Sequence, residues 1–202
     1  MRVIAGLYRG LRLMGPNHQG LRPTTDLVRE ALFNILQNLP SPSVKGGRVL
    51  DLFAGSGALG IEALSRGAYY VTFVEQDPRS LRLLKQNLLR LREEHLAVRV
   101  IPGDVFRTLP RLSKEDESFD LILIDPPYHA NLWHRVVRDV DELHLLKAEG
   151  VIVLELPKRL ELPANIGGLT RKDKRIYGEV SLEFWGHKTS GVERDDDCHL
   201  SG

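Results

Sequence analysis

The sequence predicts an α/β domain: a doubly wound, mostly parallel sheet with an antiparallel edge hairpin, preceded by a small β-hairpin and helix. Three observations predict it. Short apolar runs alternate with amphipathic stretches from residue 49 to 156, and strand–helix alternation implies parallel strands joined by right-handed crossovers. Gly55-Ser56-Gly57-Ala58-Leu59-Gly60 follows the first run, a glycine spacing that lets backbone turn sharply between a strand and a helix. The last two runs flank Tyr177-Gly178-Glu179, which reads as a tight reversal.

In chain order, residues 2–13 read as a basic hairpin, Val3-Ile4-Ala5-Gly6 and Leu11-Arg12-Leu13 around Tyr8-Arg9-Gly10. A helix is predicted from about Thr25 to Leu39, with Val28, Leu32, Ile35, Leu36 and Leu39 on one face. Pro40-Ser41-Pro42-Ser43 through Gly46-Gly47 is a natural linker. Strands are predicted at residues 49–53, 71–75, 98–101, 119–124 and 151–154, rich in branched residues and mostly buried on both faces. Helices are predicted at Gly57 to Arg66, after Asp77-Pro78, and from Asn131 to about Leu146. Asp77 is a good N-cap with Pro78 in the first turn, and Leu81, Leu84, Leu88 and Leu91 recur at helical spacing. Arg171 to Ile176 and Val180 to Trp185 form the closing hairpin, and residues 190–202 are polar. The domain reading is an extension at 1–44, a main domain at 45–188 and a tail at 189–202.

The chain has 202 residues, 42% hydrophobic and 27% charged, enough apolar material for one core. No apolar run approaches the ~18 residues of a membrane span, and the start lacks a secretory pattern. Cys198 is the lone cysteine, so an internal disulfide and a cysteine zinc site are excluded. No histidine pair, His129 and His134 included, has metal-ligand spacing. A soluble, monomeric, cytoplasmic protein without a metal is expected. The net charge of +1 hides a pattern: residues 1–48 carry seven Lys/Arg against two Asp/Glu, residues 49–157 thirteen against seventeen, residues 158–188 seven against four, and the tail one against four. An acidic centre between two basic flanks hints at a polyanionic partner.

Two motifs carry the chemistry. In the first, Asp51 precedes the glycine turn and Glu75 ends the next strand, placed to hold ribose hydroxyls. Dinucleotides and S-adenosylmethionine both use this geometry. A carboxylate just before the turn repels a pyrophosphate but attracts the sulfonium and ammonium of S-adenosylmethionine. Pro102-Gly103-Asp104-Val105 follows the third strand, where Asp104 suits an adenine amino group. The second motif, Asp125-Pro126-Pro127-Tyr128, follows the fourth strand. Asp125 and the Pro126 carbonyl can accept the two N–H bonds of an exocyclic amine, and Tyr128 offers a stacking face for an unstacked base.

Together these motifs resemble the methyltransferases that act on nucleobase amino groups. Arg2 to Gly6 with Arg9-Gly10, Leu21-Arg22-Pro23-Thr24-Thr25-Asp26 with Val28-Arg29-Glu30, Leu52 to Gly57, Leu64 to Ala68, and Tyr177-Gly178 with Leu182-Glu183-Phe184 narrow the likeness to the bacterial RsmD family, over residues 1–187. One departure is Leu156, after Glu155, where family members often carry His or Ser; another is the acidic tail. The resemblance implies a Rossmann-like class I methyltransferase. It implies transfer of a methyl group from S-adenosylmethionine, leaving S-adenosylhomocysteine, to guanine N2 in 16S rRNA or an assembling small subunit. The expected catalytic residues are Asp125, Pro126, Pro127 and Tyr128. The expected cofactor residues are Asp51, Phe53, Ala54, Gly55, Ser56, Gly57, Glu75, Gln76, Asp104, Val105 and Asp125. RNA contacts are expected from Arg9, Arg22, Pro23, Thr24, Arg29, Tyr128, Arg171 and Arg175, the family pattern giving Arg22-Pro23-Thr24 a part in closing the pocket.

The rival readings are the same chemistry on a DNA adenine or cytosine, another RNA guanine or a protein amide; a dinucleotide-dependent oxidoreductase; and a non-catalytic RNA-binding protein on this scaffold.

Overall fold

The computed structural model describes residues 1–15, 26–39, 44–92, 97–127 and 132–188. In chain order the elements are α1 (Asp26–Gln37), β1 (Arg48–Leu52), α2 (Ala58–Ser65), β2 (Tyr70–Glu75), α3 (Pro78–Leu89), β3 (Val98–Pro102), α4 (Val105–Lys114), β4 (Phe119–Ile124), α5 (Trp133–Glu142), β5 (Leu146–Pro157), β6 (Asn165–Ile166), β7 (Leu169–Tyr177) and β8 (Val180–His187). They form one eight-stranded sheet in the order β3-β2-β1-β4-β5-β8-β7-β6. β1 to β5 pair in parallel, and β8, β7 and β6 close the edge antiparallel. The expected doubly wound sheet and edge hairpin are both present. The order reverses between β1 and β4, and the crevice at such a reversal is where open α/β sheets bind ligands.

The two sheet faces bury separate apolar layers. Leu50, Leu52, Ile122, Ile124, Ile152 and Leu154 pack with α4 and α5 on one face. Val49, Leu121, Leu123, Val153 and Phe184 pack on the other, in one cluster with α1, Val3 and Leu13. The N-terminal arm therefore shares its core with the sheet.

Several elements differ from expectation for identifiable reasons. The N-terminal hairpin keeps a single antiparallel bridge, Arg2 to Arg12; cross-chain bonds such as Val3 N–H to the Leu11 carbonyl and Gly10 N–H to the Val3 carbonyl, both 2.9 Å, close it, and its outer turn is held by α2. The Leu7 N–H donates to the Ser65 carbonyl at 2.7 Å and the Tyr8 N–H to Ser65 Oγ at 3.0 Å. α4 was not expected, because Pro110 interrupts its pattern; its amphipathicity tolerates an exposed proline, since Val105, Thr108, Leu109 and Leu112 still bury one face. α5 ends at Glu142 rather than near Leu146, because His144 takes a left-handed φ of 54° and β5 begins at Leu146. The α3 start is as read: Asp77 accepts from the Ser80 N–H at 2.8 Å. No helix among the described residues is long and apolar enough to cross a membrane.

Candidate active site

Strand register assembles the crevice. Leu52 pairs with Val74 on one side and Ile124 on the other, and Ile124 pairs with Leu154. Phe53, Glu75, Asp125 and Glu155 are the next residues on four adjacent strands, so they share one level at the carboxyl end of the sheet.

The glycine turn is held by its own backbone. Ala54 N–H donates to the Val74 carbonyl at 3.1 Å and Gly57 N–H to the Ala54 carbonyl at 2.7 Å. Phe53, Gly55 and Gly57 have φ of 61°, 56° and 82°. Phe53 is the side chain forced into that region, and such strain clusters at ligand sites. The glycines do different work. A Cβ at Gly57 would lie 2.3 Å from Leu84 of α3 and one at Gly60 2.2 Å from the Phe73 ring of β2, so these two permit α2 and its turn to pack against α3 and the sheet. A Cβ at Gly55 would meet nothing nearer than 3.9 Å, so the space above it is open to a ligand.

Two carboxylates fix the turn. Glu75 accepts from Gly55 N–H on one oxygen and Asp77 N–H on the other, each at 2.7 Å. A carboxylate has about four lone-pair positions, so acceptor capacity remains on each oxygen. Asp51 is buried and accepts from Gly60 N–H at 2.9 Å, in the first turn of α2. Burial, reinforced by the charge of Glu75 and opposed by the Gly60 hydrogen bond, pushes its carboxyl up to about 7. Neither acid has a cation within ion-pair distance among the described residues. Gln76 is exposed at the rim. Asp104 caps α4 through Arg107 N–H at 3.1 Å, with Val105 buried behind it.

The second motif leaves the sheet beside this turn. Asp125 is half-buried, Pro126 buried and Pro127 exposed. At the start of α5, Trp133 Nε1 donates to the Glu155 carbonyl at 2.8 Å, a buried bond between that helix and β5. Tyr128 lies outside the described residues, as do Arg22, Pro23 and Thr24. The chain approaches that second segment through Met14, whose N–H and carbonyl both bond to the buried side chain of Asn87 at 2.7 and 2.9 Å. Asn87 Nδ2 also donates to the Ser56 carbonyl at 2.9 Å, tying the arm to the glycine turn.

Among the cations expected to meet RNA, Arg9 is exposed and Arg175 is 58% exposed beside Asp173. Arg171 points inward to buried Glu183 at 3.1 Å. Arg29 corrects the expectation outright. Its side chain is 0% exposed, donating to the Arg2 carbonyl at 2.6 Å and Asp26 at 2.7 Å with Glu62 at 3.9 Å. The surrounding arm and helix cover it, so it ties the arm down and cannot reach an external chain.

The family model described as conserved hypothetical protein 95 matches residues 1–186. The chain belongs to this family, the RsmD family. Members include the ribosomal RNA small subunit methyltransferase D of Haemophilus influenzae, 36% identical over 95% of this chain and 90% of its own length. The Escherichia coli protein of the same name is 32% identical over 98% of this chain and 94% of its own. A hypothetical protein of Thermus thermophilus gives the structural likeness, with a TM-score of 0.77 at 36% identity over 91% of this chain and 98% of that one. The RsmD-family match runs through the arm, the sheet and the hairpin alike.

Proposed function

We propose that this protein transfers a methyl group from S-adenosylmethionine to the exocyclic N2 of a guanine in 16S rRNA, acting in the cytoplasm on the RNA or an assembling small subunit. One observation carries it: the Leu52–Ile124 register sets the open glycine turn and the Asp125-Pro126-Pro127 lip side by side at the sheet's reversal. The names borne by the RsmD-family relatives supply the substrate class. The residues fit the cofactor. Gly55 leaves room, Glu75 retains acceptor capacity for ribose hydroxyls, and Asp51 and Glu75 have no paired cation among the described residues, which suits a cationic ligand and disfavours a pyrophosphate. Asp104 and Val105 flank the adenine position, and Phe53 to Gly57 the amino-acid end.

When bound, S-adenosylmethionine supplies a methyl group on a positive sulfur. The protein's task is to make a poor nucleophile reactive, because the N2 lone pair is delocalised into the guanine ring. Asp125 and the Pro126 carbonyl accept the two N2–H bonds and turn the lone pair toward the methyl. The prolines hold that lip stiff, and positioning of this kind supplies much of a barrier reduction. Tyr128 stacks on the base, while Arg9, Arg22 and Arg175 meet phosphate. Asp125→Ala is expected to bind S-adenosylmethionine normally and to lose methyl transfer to 16S rRNA by about a thousandfold or more, measured with labelled methyl donor. Full activity in that variant overturns the assignment.

A further inference from the structure

We propose that the exposed face of α3 is an RNA-contacting surface, on which Arg79, Arg82 and Lys85 meet the sugar-phosphate backbone of the RNA whose base enters the crevice. The inference rests on the rRNA reading above. Between Asp77 and Glu93 the sequence holds five cations, Arg79, Arg82, Lys85, Arg90 and Arg92, and no acid. The row lies inside residues 49–157, whose summed charge is negative, so a count by segment hides it. Leu84, Asn87 and Leu88 are buried on the inner side of the helix, while Arg79, Arg82, Lys85 and Arg90 are exposed. Arg79, Arg82 and Lys85 recur at intervals of three and run about 9 Å along the helix. Among the described residues none of these cations has a carboxylate within ion-pair distance. On α5, by contrast, Arg135 and Arg138 pair with Asp139 and Glu142 of their own helix.

The fold gains nothing from this row. A helix N-terminus favours anions, yet α3 has no acid in its first turn and carries Arg79 there. Like charges three positions apart repel, and the row holds two such pairs. Asp77, the preceding acid, is engaged as the N-cap by the Ser80 N–H at 2.8 Å. A polyanion relieves the repulsion that the fold leaves standing, and each phosphate neutralised releases counterions. The place of the row suits the substrate. Glu75 accepts from Asp77 N–H on one oxygen and Gly55 N–H on the other, so the first turn of α3 stands beside the glycine turn. The far end meets the arm, where Arg90 Nη1 donates to the Arg12 carbonyl at 3.0 Å and exposed Arg12 extends the basic surface. An RNA strand running from the arm along α3 therefore reaches the rim of the crevice.

The test measures binding of the full chain to unmodified 16S rRNA by mobility shift, between about 50 and 200 mM salt, and methylation of the same RNA with labelled donor. One variant combines Arg79→Gln, Arg82→Gln and Lys85→Gln. It is expected to bind the RNA about 10- to 100-fold more weakly, with the salt slope reduced by about two, and to melt no lower than wild type. Its S-adenosylmethionine affinity stays within about twofold of wild type. A second variant combines Arg107→Gln, Arg111→Gln and Lys114→Gln on α4, three exposed cations followed in the sequence by Glu115, Asp116 and Glu117. This equal change in net charge is expected to leave the slope unaltered. An unaltered slope in the α3 variant overturns the proposal. So does an equal loss in both variants, which assigns the effect to net charge. Should the α3 variant not fold, Arg82→Gln alone decides: a slope lower by about one supports the surface, and an unaltered slope overturns it. A wild-type protein that binds the RNA without methylating it removes the methyl-transfer reading and leaves the α3 surface standing. A wild-type protein that does not bind the RNA removes both.

Discussion

Buried carboxylates occur in two regions of this molecule and are answered differently. In the flanks, Glu62 and Glu183 are met by cations. Glu62 has Arg66 at 2.7 Å and Arg29 at 3.9 Å, with the Ile4 and Ala5 N–H groups at 2.8 and 3.1 Å. Glu183 has Arg171 at 3.1 Å, Lys174 at 3.4 Å and Trp185 Nε1 at 3.1 Å. In the crevice, among the described residues, Asp51 and Glu75 are met only by backbone N–H groups. The first pair is complete and holds the arm and the hairpin to the sheet. The second pair is short of positive charge, which a sulfonium ligand brings. Arg29, Arg171 and Lys174 of the basic flanks are thus spent inside the fold, and a count of lysines and arginines overstates what an RNA would meet.

The largest expected effect tests the completed pair. Glu62→Ala strands Arg29 and Arg66 without their shared counter-charge, and breaking a buried pair costs about 3–5 kcal/mol. Its melting temperature should fall by about 10 °C, seen by calorimetry. If Glu62→Ala melts no lower than Asp51→Asn, the contrast between the regions is broken.

An intermediate effect concerns the crevice and pH. Asp51 titrates near 7 in the fold, above its unfolded value, so the unfolded chain holds fewer protons between about pH 4 and 7. Stability contributed by this group therefore falls as pH rises across that window and levels off above about 7. Cofactor affinity should move the other way, rising several-fold from about pH 6 to pH 8 as Asp51 ionises, and binding near pH 6.5 should release protons. Asp51→Asn should flatten both dependences. Calorimetric titration in buffers of different ionisation enthalpy measures the release, and an unchanged pH profile in Asp51→Asn would count against a charge role for Asp51.

The smallest expected effect sharpens what remains outside. Among the described residues Arg175 pairs only with half-exposed Asp173, so Arg175→Glu should leave stability within about 0.5 kcal/mol. RNA binding should weaken about 3- to 10-fold, with the salt slope reduced by about one. A nitrocellulose-filter salt titration reads this directly, and an unaltered slope removes Arg175 from the RNA surface.

Much of this was legible in the sequence, for physical reasons that also mark where reading stopped. The branched runs at residues 49–53, 71–75 and 119–124 became central strands because nothing but a two-sided core suits them. The glycine turn and the Asp125 lip were visible because their spacing is dictated by backbone geometry. Arg29 was misread because a charged residue on an amphipathic helix reads as solvated, and only tertiary structure reveals the carbonyl and carboxylates that receive it. Asn87 was not singled out because the backbone groups it bonds, in Met14 and Ser56, lie 73 and 31 positions away, which no local pattern encodes.

The shared side chain of Asn87 has a consequence for how two ligands bind together. One amide bonds both the Ser56 carbonyl in the glycine turn and the backbone of Met14, the last firm anchor before the segment that contains Arg22. Anything that tightens Ser56 tightens Met14 with it, and linkage makes the influence reciprocal. On the proposed function, a methyl donor seated on the turn is expected to meet part of the entropy cost of presenting the arm to RNA. The expected outcome is that each ligand raises the other's affinity by the same factor, measured by titrating RNA with and without the methyl donor.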